Sequence, residues 1–102
     1  MRNLDKYKGV IPAFYACYDK EGNISPEGVQ ALTKYFIEKG VKGVYVNGSS
    51  GECIYQSVED KKIVLENVMK AAEGKLTVIA HVACNNTKDS QELARHAESL
   101  GV

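Results

Sequence analysis

Apolar positions along this chain follow two alternating patterns. From Val10 to Ala16 they run almost unbroken, with Phe14 and Tyr15 inside the run, which predicts a strand. Pro12 is the one misfit there, because proline has no N–H to give to a strand ladder. A polar turn cluster follows, Asp19-Lys20-Glu21-Gly22-Asn23. Ser25-Pro26-Glu27 then reads as a helix start, with Ser as N-cap, Pro in the first position and an acid near the positive end of the helix dipole. Val29, Leu32, Phe36 and Ile37 form one helical stripe, and Gly40 stands where a left-handed C-terminal cap belongs. The second strand is predicted over Gly43 to Val46. Ser57-Val58-Glu59-Asp60 resembles a capping box, and Val64, Leu65, Val68, Met69 and Ala72 continue that helix's stripe to Gly74. A third strand, Leu76 to Val82, is nearly all apolar, as in a strand buried on both faces. The last helix is predicted from an N-cap at Thr87, with Leu93, Ala94, Ala97 and Leu100 as its buried side and Gly101 as its stop.

The spacing of these elements decides the fold class. The N-caps Ser25, Ser57 and Thr87 lie 32 and 30 residues apart, and strand starts near Val10, Gly43 and Leu76 are 33 apart. Three βα units of one size in strict alternation imply an α/β fold with a parallel sheet. Such units build either a doubly wound sheet or a (βα)8 barrel. In both, the loops after the C-terminal ends of the strands carry the ligand site. Cys17, Ser49, Ser50, Glu52 and Cys84 are therefore expected on one face. Val102 reads as the first residue of a fourth strand. A barrel takes about 250 residues, so the 102 residues are expected to be the N-terminal part of a longer, single barrel domain.

Charge and composition narrow the function. The chain has 13 basic and 13 acidic residues, interspersed, with a formal net charge of zero. That leaves no electrostatic footprint for nucleic acid or an anionic membrane. No apolar run approaches the roughly 20 residues that span a bilayer. Met1-Arg2-Asn3-Leu4-Asp5-Lys6 has no apolar stretch of the kind a secretory signal needs. Cys17, Cys53 and Cys84 are odd in number and widely spaced, which suits reduced thiols in a cytoplasmic protein.

The chemistry concentrates in Gly48-Ser49-Ser50-Gly51-Glu52, directly after the second strand. Two glycines supply positive φ and leave room for close approach, while consecutive N–H groups and two hydroxyls can cradle an anion. A tight strand-to-helix turn without a ligand is the competing reading. Glu52 beside a bound anion would repel it, so its expected role is structural: accepting hydrogen bonds that fix the loop. Tyr45 is expected to pack within its strand, and His81 to be a hydrogen-bonded core residue. His81, Cys84, Cys17 and Cys53 are a conceivable zinc set. They contain no Cys-x-x-Cys pair, and residues three apart in a strand point to opposite sides, so no metal and no cofactor are expected.

Gly43-Val44-Tyr45-Val46-Asn47-Gly48-Ser49-Ser50-Gly51-Glu52, with Val78-Ile79-Ala80-His81-Val82, Leu93-Ala94 and His96-Ala97, resembles the N-acetylneuraminate lyase and dihydrodipicolinate synthase family. The resemblance runs through essentially the whole chain. It implies the first three repeats of a (βα)8 (TIM) barrel and a class I, Schiff-base aldolase or lyase acting on pyruvate and a sugar or other aldehyde, as a homotetramer. The resemblance assigns the pyruvate carboxylate to the Gly48–Gly51 loop: Ser50 through its hydroxyl and N–H, Gly48 and Gly51 through backbone, with Ser49 catalytic through a hydrogen bond to a proton-relaying tyrosine. Tyr45-Val46-Asn47 before a Ser-containing loop points to the lyase branch; the synthase branch usually carries two threonines. The family's proline and phenylalanine after the first strand are replaced here by Cys17 and Tyr18. Its Schiff-base lysine and tyrosine fall beyond residue 102. Lys42 and Lys75 precede strands, and Lys88 sits at a helix start with nothing apolar to make it nucleophilic. The chain alone is therefore expected to be inactive. The alternatives are a synthase-like condensing enzyme, an inactive barrel fragment that self-associates through exposed strand edges, and a small doubly wound anion-binding domain. The last lacks a Gly-x-Gly-x-x-Gly or Walker loop.

Overall fold

The computed structural model describes residues 4–102, so the start of the segment read above as lacking a secretory signal, Met1 to Asn3, lies outside the described residues. Three helices and two strands alternate: α1 (Pro26–Glu38), β1 (Gly43–Val46), α2 (Val58–Ala72), β2 (Thr77–Ala80) and α3 (Thr87–Ser99). Single 3-10 turns occupy Asp5–Tyr7, Ser49–Gly51 and Cys53–Tyr55. β1 and β2 pair in parallel, with Gly43 opposite Thr77 and Val46 opposite Ala80. Alternating helices and parallel strands are the opening repeats of a (βα)8 barrel.

The Val10–Ala16 run lies beside β1 but does not form a ladder. Its parallel pairing reduces to one bridge, Ala13 to Tyr45, held by Tyr45 N–H to Pro12 O at 3.0 Å and Phe14 N–H to Tyr45 O at 2.8 Å. Extending the ladder back to Gly43 would need an N–H at position 12 to donate to the Gly43 carbonyl. Proline has none, and Lys42 N–H reaches the Val10 carbonyl at 2.9 Å instead. The predicted strand is thus a single bridge because of the one residue that broke its pattern.

The helices start where their caps say. Ser25 Oγ accepts from the Gly28 N–H at 3.0 Å, and Ser57 Oγ from the Asp60 N–H at 3.0 Å. The third cap is Asn86, not Thr87: its Oδ1 accepts from the Asp89 N–H at 2.9 Å, which leaves Thr87 as the first helical residue. Between the first segment and α1, Asp19 Oδ1 accepts from the N–H groups of Glu21 and Asn23, closing the turn that Gly22 shapes with φ +83°. α2 ends in two left-handed residues, Glu73 and Gly74.

The core lies between the outer face of the strands and the helices. Phe14, Val29, Val44, Val46, Val64 and Val68 are at most 1% exposed, each such side chain contributing about 1.5–3 kcal/mol by leaving water. Leu65, Ala72, Leu76, Leu93 and Ala97 are buried as well. Ala94, expected inside, is exposed on α3. β2 is four residues long and half-buried along its length, rather than buried on both faces over Leu76–Val82, because β1 is its only strand neighbour among the described residues. Three polar side chains sit inside without a sequence forecast: Thr33, Asn47 and Lys61. Thr33 satisfies its hydroxyl on the Val29 carbonyl at 2.8 Å, and Lys61 is 5% exposed in the first turn of α2. No helix among the described residues is long and apolar enough to cross a membrane.

Candidate functional site

The loop after β1 begins with a residue that turns the chain and anchors it together. Asn47 takes φ 66°, a left-handed conformation that asparagine tolerates better than most residues, and is 4% exposed. Its Nδ2 donates to the Lys61 carbonyl at 2.9 Å, which ties the end of β1 to α2. The 3-10 turn Ser49–Gly51 follows, closed by Gly51 N–H to Gly48 O at 3.0 Å and Glu52 N–H to Ser49 O at 2.9 Å. Glu52, at φ 63° and ψ 37°, then reverses the chain into the second 3-10 turn, Cys53–Tyr55.

The positive φ angles of this loop are therefore carried by Asn47 and Glu52, not by the glycines as expected. Gly48 has φ −81°, and Gly51 lies outside the left-handed region. The glycines are needed for space. A Cβ on Gly48 would lie 2.6 Å from Tyr45 Cε2, and one on Gly51 would lie 2.7 Å from the Phe14 carbonyl oxygen. The turn is packed directly onto the ends of β1 and the Val10–Ala16 segment, closer than any side chain permits.

Ser49 and Ser50 are exposed at the crest of this turn. Among the described residues neither hydroxyl makes a hydrogen bond, and neither N–H donates to a backbone carbonyl. Four donors are thus left without an internal partner on an exposed stretch whose flanking backbone is pinned. Glu52 supports the loop through its main chain alone: its N–H bonds Ser49 O, and its carbonyl accepts from Tyr55 N–H at 2.9 Å. Among the described residues its carboxylate accepts no hydrogen bond, unlike the fixing role expected of it.

A residue with no sequence signal completes the support. Gln56 Nε2 donates to the Gly51 carbonyl at 2.8 Å and to the Tyr18 hydroxyl at 3.1 Å, joining the loop after β1 to the loop after the first segment. Tyr18 stands at one of the two positions where the chain departs from the family pattern, so that departure is part of this contact.

Tyr45 points away from Val44 and Val46 and is 36% exposed, on the strand face not covered by helices. Its ring meets His81 edge-on, with centroids 5.8 Å apart. His81 is not the hydrogen-bonded core residue expected: its Nδ1 is buried without a partner among the described residues.

The three cysteines do not meet at one point: Cys53 and Cys84 line one cavity with His81, and Cys17 lies apart from them. Cys17 Sγ donates to the Tyr15 carbonyl at 3.6 Å and packs beside Gly28 of α1, and burial pushes its thiol above the ordinary range. Cys53 is buried beneath the loop, and Cys84 meets Lys61, its Sγ 3.5 Å from Nζ. Among the described residues no group of three or more His, Cys, Asp or Glu side chains comes together as a metal site. The expected common face holds for the loops, which meet through Tyr18, Gln56, Lys61 and Cys84, while Cys17 is directed toward α1. Lys42 and Lys75 line a depression at the opposite end with Gly9, Val10 and Gly74. Lys88 is exposed in the first turn of α3.

Comparison with known proteins places this geometry in a lineage. The chain is 93% identical over its whole length to the N-acetylneuraminate lyase of Mediterraneibacter gnavus, covering 32% of that protein. It is 40% identical over 94% of its length to N-acetylneuraminate lyase 2 of Escherichia coli, again covering 32%. Its fold superposes on a solved Ruminococcus gnavus sialic acid aldolase with a mutated catalytic lysine at a TM-score of 0.99 and 93% identity, covering all of this chain and 33% of that one. A dihydrodipicolinate synthase from Bacillus anthracis matches with a TM-score of 0.83 and 29% identity, over 92% of this chain and 32% of that one. The chain spans about a third of the length of the curated relatives it matches. The model of the dihydrodipicolinate synthetase family matches residues 6–102, and the chain belongs to that family.

Proposed function

We propose that this chain carries the carboxylate-binding loop of a pyruvate-dependent, Schiff-base carbon–carbon lyase of the N-acetylneuraminate lyase type. The observation that carries the reading is the set of exposed, unpartnered donors on Ser49 and Ser50, set after the C-terminal end of β1 on a turn held by Asn47, Gly51 and Gln56. Identity of 93% to a lyase favours that branch over the condensing synthase. Residues 1–102 are then the N-terminal part of one barrel domain. On the same reading the assembled enzyme is a cytoplasmic homotetramer.

In such a reaction a lysine amine condenses with the substrate keto carbon and releases water. The protonated imine draws in the electrons of the breaking carbon–carbon bond, and the resulting enamine takes up a proton. Ser50 holds the carboxylate end of the substrate with its hydroxyl and N–H, and Gly48 and Gly51 flank it through backbone that their lack of a Cβ seats close on Tyr45 and Phe14. Ser49 orients the tyrosine that carries the proton. Neither that tyrosine nor the Schiff-base lysine is assigned to these 102 residues.

The test replaces the first 102 residues of the Mediterraneibacter gnavus lyase with this chain. The chimera should cleave N-acetylneuraminate. A hydrogen bond to a charged group contributes about 1.5–3 kcal/mol, so Ser50→Ala should raise KM roughly 10- to 100-fold. Ser49→Ala should act mainly on kcat. An unchanged KM in Ser50→Ala defeats the assignment. The chain alone, treated with pyruvate and borohydride, should keep its mass; a reduced pyruvyl adduct on Lys88 would contradict the inactive reading.

A further inference from the structure

Lys61 is a buried lysine in an unusual setting. Lysine is almost never fully buried unless it is paired, yet among the described residues Lys61 forms no ion pair with a carboxylate. Its Nζ donates instead to Cys84 Sγ at 3.5 Å. Both partners are held in place. The Lys61 N–H donates to Ser57 O at 3.1 Å and its carbonyl accepts from Asn47, while the Cys84 N–H donates to Ser90 Oγ at 2.9 Å. The pair opens onto a cavity of about 500 Å³, lined also by Cys53, Gln56, Ser57 and His81. Cys84 is half-buried, so a small oxidant entering the cavity reaches its sulfur with an amine already alongside.

We propose that Lys61 and Cys84 form an oxidative modification site, in which hydrogen peroxide drives a reversible nitrogen–sulfur cross-link between them. In the first step the Cys84 sulfur attacks the peroxide. The O–O bond breaks, the sulfur gives up two electrons to become a sulfenic acid, and one water leaves. In the second step the lone pair of the Lys61 amine attacks that sulfur; the S–O bond breaks as the N–S bond forms, and the departing hydroxyl takes a proton from nitrogen to leave as a second water. The product is a sulfenamide, lighter than the reduced chain by two hydrogens. One external thiol attacks the sulfur, expelling the Lys61 amine and leaving a mixed disulfide, and a second thiol then frees Cys84 as the thiol. The other two cysteines are worse targets. Cys53 is 8% exposed. Cys17 has its thiol raised by burial, which disfavours the reactive thiolate, and it lies away from the cavity.

The bond would join the first turn of α2 to the loop after β2. The Lys61 carbonyl anchors Asn47, so the cross-link lies one hydrogen bond from the loop that carries Ser49 and Ser50.

The experiment treats the full chain with a stoichiometric amount of hydrogen peroxide, followed by proteolysis and peptide mass mapping. The expected product is a Lys61–Cys84 cross-linked peptide missing two hydrogens, restored to the separate peptides by dithiothreitol. It should be absent when oxidation is carried out in urea, because the residues are distant in the unfolded chain. In Lys61→Arg the sulfenic acid should persist and be captured by dimedone at Cys84. Dimedone capture at Cys84 in the parent chain with Lys61 unmodified would overturn the proposal. So would preferential oxidation of Cys17 or Cys53. The parent measurement needs no substitution, so it decides the matter even if Lys61→Arg folds poorly.

Discussion

Replacing Gly51 by alanine separates the two things glycine can supply, conformational freedom and space. Gly51 lies outside the left-handed region, so alanine there has no φ penalty. The new methyl would instead sit 2.7 Å from the Phe14 carbonyl oxygen, well inside the roughly 3.5 Å of optimal non-bonded contact. That oxygen belongs to backbone, in a segment whose N–H is bonded to β1, and Phe14 is itself 1% exposed. It has no rotamer through which to withdraw. Overpacking of this kind costs about 1–3 kcal/mol. Alanine returns about 0.4–1 kcal/mol by restricting the unfolded chain. The net loss is about 1–2 kcal/mol. With a urea m-value of roughly 1–3 kcal/mol/M, the midpoint should fall by about 1 M. Gly48→Ala is the matched comparison, because its methyl would meet the Tyr45 ring at 2.6 Å. That ring is 36% exposed and can swing aside. The cost should be about 1 kcal/mol or less. Urea unfolding followed by far-ultraviolet circular dichroism on the two variants and the parent gives the answer. If Gly51→Ala is as stable as the parent, or Gly48→Ala is the worse of the two, the close-approach argument for this loop is wrong.

Two further predictions rest on other contacts. Asn47→Ala places alanine at φ 66° and deletes the hydrogen bond to the Lys61 carbonyl, for a combined loss of about 2–3 kcal/mol. Asn47→Gly loses only the bond, about 1 kcal/mol, so urea midpoints should rank parent, Gly, Ala; the reverse order of the variants would refute the left-handed requirement. Burial raises the Cys17 thiol in the folded chain. The unfolded chain therefore releases this proton first as pH rises. The stabilisation is complete below the unfolded thiol's pKa and is lost as pH climbs through the folded one. Stability of the parent should fall across the alkaline thiol range more than that of Cys17→Ala, and parallel profiles would contradict this.

What could be read ahead of the structure was whatever depends on neighbours in sequence. Ser25 and Ser57 cap their helices because the capping oxygen and the N–H it serves are three residues apart, a relation visible in the letters. The shift from Thr87 to Asn86 is the limit of that method, since two adjacent capping residues differ only in which one the helix leaves outside. The loop was harder. Its glycines are legible as a signal, and the room they leave for close approach is present, but what approaches is Tyr45 Cε2 and the Phe14 carbonyl, which enter only through packing, and the positive φ falls on their neighbours. Lys61 did carry a signal: it falls three and four residues before Val64 and Leu65, on the same stripe, so helical geometry alone places it inside. Gln56 carried none. Its value comes from Tyr18, 38 residues away, and no local pattern encodes that distance.

The support of the loop also says where its function should be vulnerable. Donors stabilise an anion most when they are already in place and need no reorganisation on binding. On the carboxylate-binding role proposed above, the serines meet that condition through residues placed behind the turn. Asn47 fixes the entry to the turn, the Phe14 carbonyl blocks it from sinking toward the strand, and Gln56 holds its exit against the neighbouring loop. Loosening any one leaves all four donors present while changing where they point. Substitutions behind the loop should therefore weaken anion binding without removing a single group that touches the anion. In the chimera such a variant, Gln56→Ala for example, should raise KM while Ser49 and Ser50 remain intact. If it leaves KM unchanged, the turn holds its own shape, and the burial of Gly51 against Phe14 is sufficient support by itself.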